Sequence, residues 1–460
     1  MGEYNLNYDN KSIDSILDYA NNLIGKTFGE IDKYSRLEHN KGKGNLGQVV
    51  EESYFGYDVN SRAEADFAHV GVELKVTPYK VNKNNTISAK ERLVLNIINY
   101  MEEYKKSFEE SSFWTKNKEL LLVFYEWKKE LERKDYVVKD VMLHKFSEED
   151  LIVIKKDWEI IINKIKAGKA HEISEADTNY LGACPKGANK NSVRSQPFSS
   201  ELAMQRAFSL KTSYMTYLIR MRLGYNVEQT VSILKGTKKG IEEILHDKFS
   251  VYYDKSIDEI CKELDINLIS KNGSLPKNYA QIISSKILGI KGNKLDSIEE
   301  FSKANIKFKT VRIEKNGKIK QHMSLETFKY TEIIKETWEE SKLRNTFLEQ
   351  KYLFVVFRYD ENDVLRLDKI KLWNMPLSVL DTKLKETWEE TVRVIKEGLV
   401  IEVKGNKKYD NMPSSTFNRV CHTRPHAQNS SDTYTLPDGR EHVKKCFWLD
   451  REYILEVISN

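Results

Sequence analysis

The chain has 460 residues and a formal net charge of +5; hydrophobic residues make up 40% of it and charged residues 31%. This composition is typical of a globular protein with two to four domains, and no apolar run approaches the roughly 18 residues that span a bilayer. Because 74 basic residues nearly balance 69 acidic ones, a histone-like basic tail is excluded, whereas an enzyme with a local basic groove for DNA is allowed.

The N-terminus and the cysteines indicate a location for the protein. The first ten residues are polar, so we expect no secretory signal and no membrane association. Four cysteines occur without any CxxC spacing, at Cys184, Cys261, Cys421 and Cys446. Such sparse cysteines favour a reducing, cytoplasmic environment over a disulfide framework.

The predicted elements of the first half mix helices and strands. Residues 46–55 form a helix candidate, residues 70–76 alternate like a strand, and residues 119–127 are apolar enough for a central strand. Ser147 is a favourable helix cap, and the amphipathic pattern that follows it ends near Gly168. Helices that flank a mixed sheet predict an α/β or α+β fold.

The second half of the chain repeats the first. Five short patterns recur in the same order at offsets of 230 to 244 residues; Trp158, for example, recurs as Trp388, and the central strand recurs at residues 351–358. We therefore predict a fold duplicated in tandem, with domains of normal size. The predicted boundaries are residues 1–225 for the first domain, 226–254 for a connector and 255–460 for the second domain.

The pattern with the most chemical content is Asp66 followed by Glu73, Leu74 and Lys75. Residues two apart in a strand share a face, so Glu73 and Lys75 point together while Leu74 points into the core. Two converging carboxylates are ligands for Mg²⁺, and a lysine beside them can position water and stabilise charge on a phosphate. The set suits metal-assisted phosphodiester hydrolysis; the alternative is an edge strand with a solvated polar face.

The two halves differ at these positions. Glu51, on the preceding helix, adds a third acid in the first half. The corresponding residues of the second half are Ser284 for Glu51, Lys307 for Glu73, Lys309 for Lys75 and, roughly, Glu300 for Asp66. A lysine cannot replace a ligand carboxylate, so we expect the second copy to be catalytically inactive.

Two further groups of residues carry weaker signals. The stretch from Ala183 to Arg206 has four basic residues and one acidic residue, which suits a loop on phosphates and base edges; the alternative is an ordinary solvated loop. A second set has the residue types of a zinc site, but its spacing matches no standard finger, so we expect buried thiols and surface histidines there. Its members are Cys421, His426, His442 and Cys446.

Six segments of the chain together resemble one known family: GQVVEE, EADFAHVGVELKVTP, KNKELLLVFYEW, DWEIIINKIKAGKAHEI, PKGAN and RAFSLK. They resemble MutH, the mismatch-repair nicking endonuclease, and still more the large two-domain type II restriction endonucleases that cut GATC. The resemblance covers nearly the whole chain. It implies the PD-(D/E)xK restriction-endonuclease-like fold, in which a catalytic MutH-like domain precedes a MutH-like pseudo-nuclease domain that binds DNA.

The resemblance also implies roles for individual residues. Asp66 and Glu73 become the Mg²⁺ ligands, Glu51 an accessory acid at the metal, and Lys75 the motif lysine. Lys116 matches a further active-site lysine, with its neighbour at position 118 as the alternative register.

The expected DNA contacts follow from the same resemblance. MutH carries an arginine directly before the proline of its base-reading loop, where this chain has Cys184; an arginine there would read guanine. Arg194 and Arg206 are candidates to replace it. The full expected set of DNA-contacting residues is Pro185, Lys186, Lys190, Arg194, Arg206, Lys211, Arg424 and Pro425.

The resemblance thus implies a type II restriction endonuclease that cuts double-stranded DNA on the 5′ side of the guanine in GATC with Mg²⁺. We expect a GATC methyltransferase in the same cell, and a second chain or a second DNA site during cleavage. The second domain is either an effector that binds another copy of the site or one half of a pseudo-symmetric clamp. The alternatives for the whole protein are a methyl-directed nicking enzyme of mismatch repair and a non-catalytic DNA-binding regulator.

Overall fold

The computed structural model describes residues 6–39, 42, 44–57, 64–187, 189, 191–224, 230–268, 275–292, 295–405 and 407–460. The chain forms two compact units: Met1–Ile241 with Asp296–Asn305, and Glu242–Leu295 with Ile306–Asn460. The boundaries predicted from the sequence stay a prediction. Within the described ranges, no helix is both long and apolar enough to cross a membrane.

Among the described residues, the first half of the chain contributes eight α-helices and nine strands to the first unit. The helices are α1 Ile13–Asn21, α2 Phe28–Ile31, α3 Arg36–His39, α4 Asn45–Gln48, α5 Tyr100–Glu103, α6 Ser112–Asn117, α7 Glu148–Lys166 and α8 Thr212–Arg222. The strands are β1 Val72–Val81, β2 Ile87–Ala89, β3 Leu93–Ile97, β4 Glu119–Glu126, β5 Val138–Lys145, β6 Leu181–Pro185, β7 Val193–Gln196, β8 Ser199–Met204 and β9 Arg206–Leu210.

Two sheets organise this unit. The larger has the order β2-β1-β4-β5, with β1 and β4 parallel, and the smaller has the order β3-β9-β6. Residues Leu120 to Phe124 of β4 are completely buried, which confirms the predicted central strand and explains its continuous apolar run. β7 and β8 form a separate hairpin inside the segment that the sequence predicts as a loop.

The long helix α7 holds the start of β6 through one buried acid. Ser147 caps the helix, as predicted, and accepts a hydrogen bond from the backbone N–H of Asp150. Further along, the carboxylate of Asp157 accepts hydrogen bonds from the backbone N–H groups of Asn179 at 2.8 Å, Tyr180 at 2.6 Å and Leu181 at 3.0 Å. This contact positions the strand that leads to the expected DNA-reading loop.

The second half of the chain contributes the remaining elements. Its helices are α9 Ile241–Ser250, α10 Ile257–Glu263, α11 Tyr279–Ile287, α12 Glu299–Ala304, α13 Tyr330–Ile333, α14 Lys342–Glu349, α15 Leu377–Val379, α16 Lys385–Glu397 and α17 Arg451–Ser459. Its strands are β10 Ile306–Ile313, β11 Met323–Phe328, β12 Lys351–Tyr359, β13 Leu365–Trp373, β14 Ile401–Lys404, β15 Lys407–Asp410, β16 Cys421–Pro425, β17 Thr433–Thr435, β18 Glu441–Val443 and β19 Lys445–Leu449.

The second unit repeats the topology of the first and so confirms the tandem duplication. Its sheets have the orders β10-β12-β13 and β11-β19-β16, and β10 and β12 are parallel. The register agrees as well, because Lys307 lies beside Tyr352 as Glu73 lies beside Leu120. The fold is therefore the mixed α/β fold that the sequence predicts, present twice.

One helix from the second half belongs to the first unit, which the repeat pattern does not anticipate. α12 packs against α8, and its Lys303 is buried with its ammonium 2.6 Å from Asp150 and 2.5 Å from Glu299. Glu300, which the sequence aligns roughly with Asp66, instead accepts hydrogen bonds from the N–H groups of Ile233 and Leu234.

The buried Asp157 contact predicts a large effect on stability. Replacing Asp157 by alanine removes the acceptor for three backbone N–H groups, and each buried donor without a partner costs about 1–3 kcal/mol. The free energy of unfolding should therefore fall by about 3 kcal/mol or more, as measured by urea denaturation. Glu159→Ala, an exposed acid two residues away on the same helix, should change it by less than about 0.5 kcal/mol. Equal effects of the two substitutions would contradict this role for Asp157.

Candidate active site and nucleic-acid interface

The strand β1 brings the predicted catalytic pair together. Val72 and Leu74 are buried in the core below the strand, so Glu73 and Lys75 share the opposite face, as the alternation predicts. Nζ of Lys75 donates to Oε1 of Glu73 at 2.5 Å, and the carboxylate of Glu73 is only 2% exposed. A carboxylate this deeply buried requires a cationic partner, because burial of an unpaired charge is costly.

A tight turn connects Asp66 to the same place. The backbone N–H of Asp66 donates to Oε2 of Glu73 at 3.1 Å, and Oδ2 of Asp66 accepts from the N–H of Leu74 at 3.0 Å. Gly71, with φ of +70°, makes the turn in a conformation that other residues rarely adopt. These reciprocal bonds hold the two acids next to each other across seven residues of sequence.

The closeness of the acids changes their protonation. Burial, and then the carboxylate of Glu73, raise the pKa of Asp66 to about 7, although Lys75 opposes the change. Like charges that share a buried site disfavour ionisation. A divalent cation between these oxygen atoms would relieve that repulsion, and carboxylate oxygens are the ligands that Mg²⁺ prefers. The residues present therefore fit the predicted metal.

Glu51 lies on a distorted part of its helix. The predicted helix at 46–55 begins as α4 and continues as a π-helical turn over Val49–Tyr54, a distortion that is frequent at functional sites. Burial raises the pKa of Glu51, Lys75 lowers it, and Glu73 raises it further, so Glu51 lies within electrostatic range of the pair. The ligand oxygens of these acids do not all lie within 4.8 Å of one another, which agrees with an accessory position for Glu51.

A second lysine approaches the acids from α6. Nζ of Lys116 is 3.6 Å from Oε1 of Glu73, while Lys118 lies beside Gly71 at the start of β1. Of the two registers that the sequence leaves open, the geometry favours Lys116 as the accessory lysine. The site thus combines three acids with two lysines.

Tyr57 also belongs to this cluster, although the sequence alone does not indicate it. Its hydroxyl is buried and has no hydrogen-bond partner in the part of the chain that the structure describes. Burial raises the pKa of Tyr57 well above its usual value, and the charges of Asp66, Glu51 and Glu73 raise it further, so the hydroxyl lies within electrostatic range of the acids. A lone tyrosine after a helix has no recognisable spacing to a motif, so only the structure identifies it.

Among the predicted DNA contacts of the first unit, three are on the surface. Pro185, Lys186 and Arg194 are exposed, and the backbone N–H of Lys186 donates to the carbonyl of Gln205 at 2.8 Å, which fixes the main chain while the side chain points outward. Lys190 lies outside the described residues.

The other two predicted contacts of this unit are buried instead. Arg206 donates to the carbonyl of Ala183 at 2.6 Å, and Lys211 donates to the carbonyl of Thr178 at 2.5 Å. In this conformation both side chains hold the β6–β9 sheet together. Their contact with DNA stays a prediction, and of the two arginines predicted to replace the one missing at Cys184, only Arg194 is exposed in this conformation.

The second unit presents a different surface at the equivalent position. A cavity of about 910 Å³ contains Lys307 and Lys309 in the positions of Glu73 and Lys75. Burial, and then the charge of Lys307, lower the pKa of Lys309. Ser284, at the position of Glu51, is buried on α11. Lys307 and Ser284 thus stand in the positions of two of the three acids of the first unit, Glu73 and Glu51.

The predicted reading pair of the second unit is exposed at the end of β16. Arg424 lies over the ring of Trp448, with 5.5 Å between its guanidinium carbon and the ring centroid, and Pro425 follows it. The cysteine and histidine set that the sequence analysis set aside as a zinc site does not form a metal-ligand cluster among the described residues. His442 is buried, so the expectation of surface histidines is wrong for this residue; it contacts Asp410 at 3.2 Å.

Comparisons with known proteins identify the family. The family model of the DNA mismatch repair enzyme MutH matches residues 55–157 and again residues 289–393. The type II restriction enzyme Sau3AI of Staphylococcus aureus is 36% identical over 96% of this chain and 97% of its own length. The MutH protein of Shewanella woodyi is 26% identical over 48% of this chain and 96% of its own length, and that of Pasteurella multocida is 26% identical over 39% and 80%. The chain belongs to the MutH-like type II restriction endonuclease family.

Proposed function

We propose that this site-specific deoxyribonuclease hydrolyses double-stranded DNA at GATC, on the 5′ side of the guanine, with Mg²⁺. The observation that carries the proposal is the set of buried Glu73 and half-buried Asp66 and Lys75, joined by the reciprocal bonds of the turn and by the bond from Lys75 to Glu73. Membership of the restriction-enzyme family supports the type of reaction. The GATC sequence comes from the resemblance of the reading loop and of the whole chain to the enzymes that cut it.

The residues of the site have distinct roles in the proposed mechanism. Asp66 and Glu73 would hold Mg²⁺, with Glu51 as an accessory acid. Bound Mg²⁺ supplies a Lewis acid that polarises the phosphate and acidifies water. Lys75 shares the face of Glu73 and is placed to orient the attacking water and to balance charge on the phosphate, with Lys116 as a second cation nearby. The products would carry 5′-phosphate and 3′-hydroxyl ends.

Two other functions, a methyl-directed nicking enzyme and a non-catalytic regulator, fit the chain less well. A methyl-directed nicking enzyme would need only one copy of the domain, so the duplication argues against it. A non-catalytic regulator would not need the complete acid set of the first unit. Plasmid incubated with Mg²⁺ distinguishes the three: we expect fragments whose ends map to GATC, whereas nicked circles would indicate the nicking enzyme and intact plasmid the regulator.

A location follows from the same proposal. The four cysteines are free thiols, which agrees with a reducing compartment. We place the enzyme in the cytoplasm, where it meets incoming DNA and where a GATC methyltransferase, which it need not contact, protects the DNA of the cell.

The acids should be essential for cleavage and dispensable for binding. Glu73→Gln and Asp66→Asn keep the shape of each side chain but remove the charge that binds the metal. Each should lower the cleavage rate at least 1,000-fold, while affinity for a GATC duplex in Ca²⁺ stays within about threefold, because Ca²⁺ fills an oxygen site. Gel assays of plasmid cleavage and fluorescence anisotropy measure the two quantities.

A control for these substitutions lies on the same sheet. Glu126→Gln, at the far end of β4, removes an acid that pairs with Lys128 and should leave cleavage unchanged. Retained cleavage by Glu73→Gln would show that the reaction occurs elsewhere.

The exposed side chain of Lys186 should take part in DNA recognition. If it contacts a phosphate, Lys186→Ala should weaken binding to all sequences and reduce the slope of log K against log salt by about one. If it contacts a base, discrimination between GATC and altered sites should fall by about 1–3 kcal/mol. Lys145→Ala, an exposed lysine on β5, serves as the control. No change in either quantity would place Lys186 outside the interface.

We also propose that the second unit binds another copy of the site as an effector. The support is the exposed Arg424–Pro425 pair together with Lys307, which stands in the position of Glu73. DNA bound there would favour the cleavage-competent state, which is coupling between two sites. The alternative is a pseudo-symmetric clamp on one palindrome. Because only one copy has the acids, that version needs a second chain or sequential cutting of the strands.

The effector role predicts dependence on the number of sites. A plasmid with two GATC sites should be cut faster than one with a single site, and a short GATC duplex should accelerate cutting of the latter. Arg424→Ala should abolish this acceleration, whereas Arg393→Ala, an exposed arginine of α16 that pairs with Glu390, should retain it. Equal rates on both plasmids, unchanged by the duplex, would exclude the effector role and favour the clamp.

A further inference from the structure

Three side chains of the second unit converge at a place that neither the repeat nor the catalytic motif explains. His322, His422 and Asp450 each offer one ligand atom, and these atoms all lie within 4.8 Å of one another. Oδ2 of Asp450 is 3.4 Å from Nδ1 of His322 and 3.6 Å from Nδ1 of His422. Among the described residues, this is the one group of at least three histidine, cysteine or acidic side chains with such spacing.

The three residues come from separate elements. His422 lies on β16, Asp450 caps α17 with Oδ1 accepting from the N–H of Glu452 at 2.9 Å, and His322 directly precedes β11. The two imidazole rings are 4.6 Å apart between centroids and nearly perpendicular. The fold thus brings the three side chains together from positions up to 128 residues apart, counted from 322 to 450.

His422 lacks the hydrogen bonds that a buried imidazole needs. Its side chain is 1% exposed, and neither ring nitrogen has a hydrogen-bond partner within the described part of the chain. A buried polar group without a partner is destabilising, so a ligand bound to His422 would stabilise this part of the unit. The nearest acceptor, Asp450, is too distant for a hydrogen bond at 3.6 Å.

The spacing matches a tetrahedral metal. Zinc–nitrogen and zinc–oxygen bonds of roughly 2.0–2.2 Å at tetrahedral angles place neighbouring ligand atoms roughly 3.4 Å apart. The two distances to Asp450 are 3.4 and 3.6 Å. We propose that His322, His422 and Asp450 form a binding site for Zn²⁺ or a similar imidazole-preferring divalent cation. Two nitrogen ligands and one carboxylate distinguish this site from the all-oxygen site that suits Mg²⁺.

The charges and hydrogen bonds around the three side chains determine how a metal can bind them. A metal binds the lone pair of a neutral imidazole nitrogen, and neither ring nitrogen of His422 has a hydrogen-bond partner among the described residues. Arg424 adds positive charge nearby, which the carboxylate of Asp450 offsets. Nδ1 of His322 accepts from the N–H of Arg451 at 3.1 Å, so a metal bound at the measured spacing displaces that bond.

The position of the site suggests its role. The His322 side chain is 13% exposed, which leaves an entry path from solvent. A cation here would tie β16 to the start of α17, and β16 ends in Arg424 and Pro425. The site is therefore structural: it would hold the pair that, under the proposed effector function, reads DNA. Zinc binding itself does not depend on that function.

Zinc binding is tested on the full-length protein after dialysis against a chelator. Excess Mg²⁺ is added to occupy the oxygen site, and Zn²⁺ is titrated in competition with a chromophoric chelator. We expect one Zn²⁺ per chain, bound at least tenfold more weakly by His422→Gln and by Asp450→Asn. His442→Gln should bind Zn²⁺ as the wild type does, because His442 contacts Asp410 and none of the three proposed ligands. Lys445, 2.6 Å from Oδ1 of Asp410, continues to balance the charge of that carboxylate in the variant. No saturable Zn²⁺ in the wild type, or equal affinity in His422→Gln, would overturn the proposal.

A second readout does not require the variants to fold. Co²⁺ bound to the wild-type protein should give the visible absorption of a tetrahedral site without a thiolate charge-transfer band, since no cysteine is in the set. A thiolate band would assign the metal to Cys421 or Cys446 and overturn the proposal. Cleavage activity is not part of either measurement, so failure of the zinc site and failure of the nuclease proposal are distinguishable.

Discussion

The constraint on which the first unit depends is one buried carboxylate at the start of a parallel strand with a second, half-buried carboxylate beside it. Glu73 is held almost out of solvent on β1, and Asp66 is fixed beside it by two backbone hydrogen bonds. Such a pair is unfavourable unless cations face it, and Lys75 and Lys116 lie at 2.5 and 3.6 Å from Glu73. The repulsion between the two carboxylates destabilises the folded state, and a divalent metal bound between them would relieve it.

The two halves show how one scaffold takes on two different surfaces. The parallel strands β1 and β4 keep their register in β10 and β12, because the apolar residues that set the register face the core in both copies. The charged residues on the other face are free to differ. Lys307 in place of Glu73 and Ser284 in place of Glu51 therefore remove two acids without disturbing the strands.

The sequence predicts those parts of the site that rest on local periodicity. Alternation along β1 is enough to place Glu73 and Lys75 on one face, and the Ser147 cap and the glycine after it are enough to delimit α7. Lys116 needed the structure to separate it from its neighbour, since both lie near the end of a short helix. The position of Tyr57 and the packing of α12 through Lys303 depend on contacts between segments that are distant in sequence. Such contacts produce no periodic pattern from which they could be predicted. The buried state of Arg206 has the same origin, because its partner carbonyl lies 23 residues away.

The most direct test of the central claim is to locate the metal. Crystals of the full-length protein with a GATC duplex and Mn²⁺, in place of Mg²⁺, allow the ion to be identified from its anomalous scattering. We expect an anomalous peak between Asp66 and Glu73 in the first unit and none beside Lys307 and Lys309 in the second. A peak beside Lys307 and Lys309, or DNA bound in the first unit without a peak at Asp66 and Glu73, would contradict metal binding by these two acids.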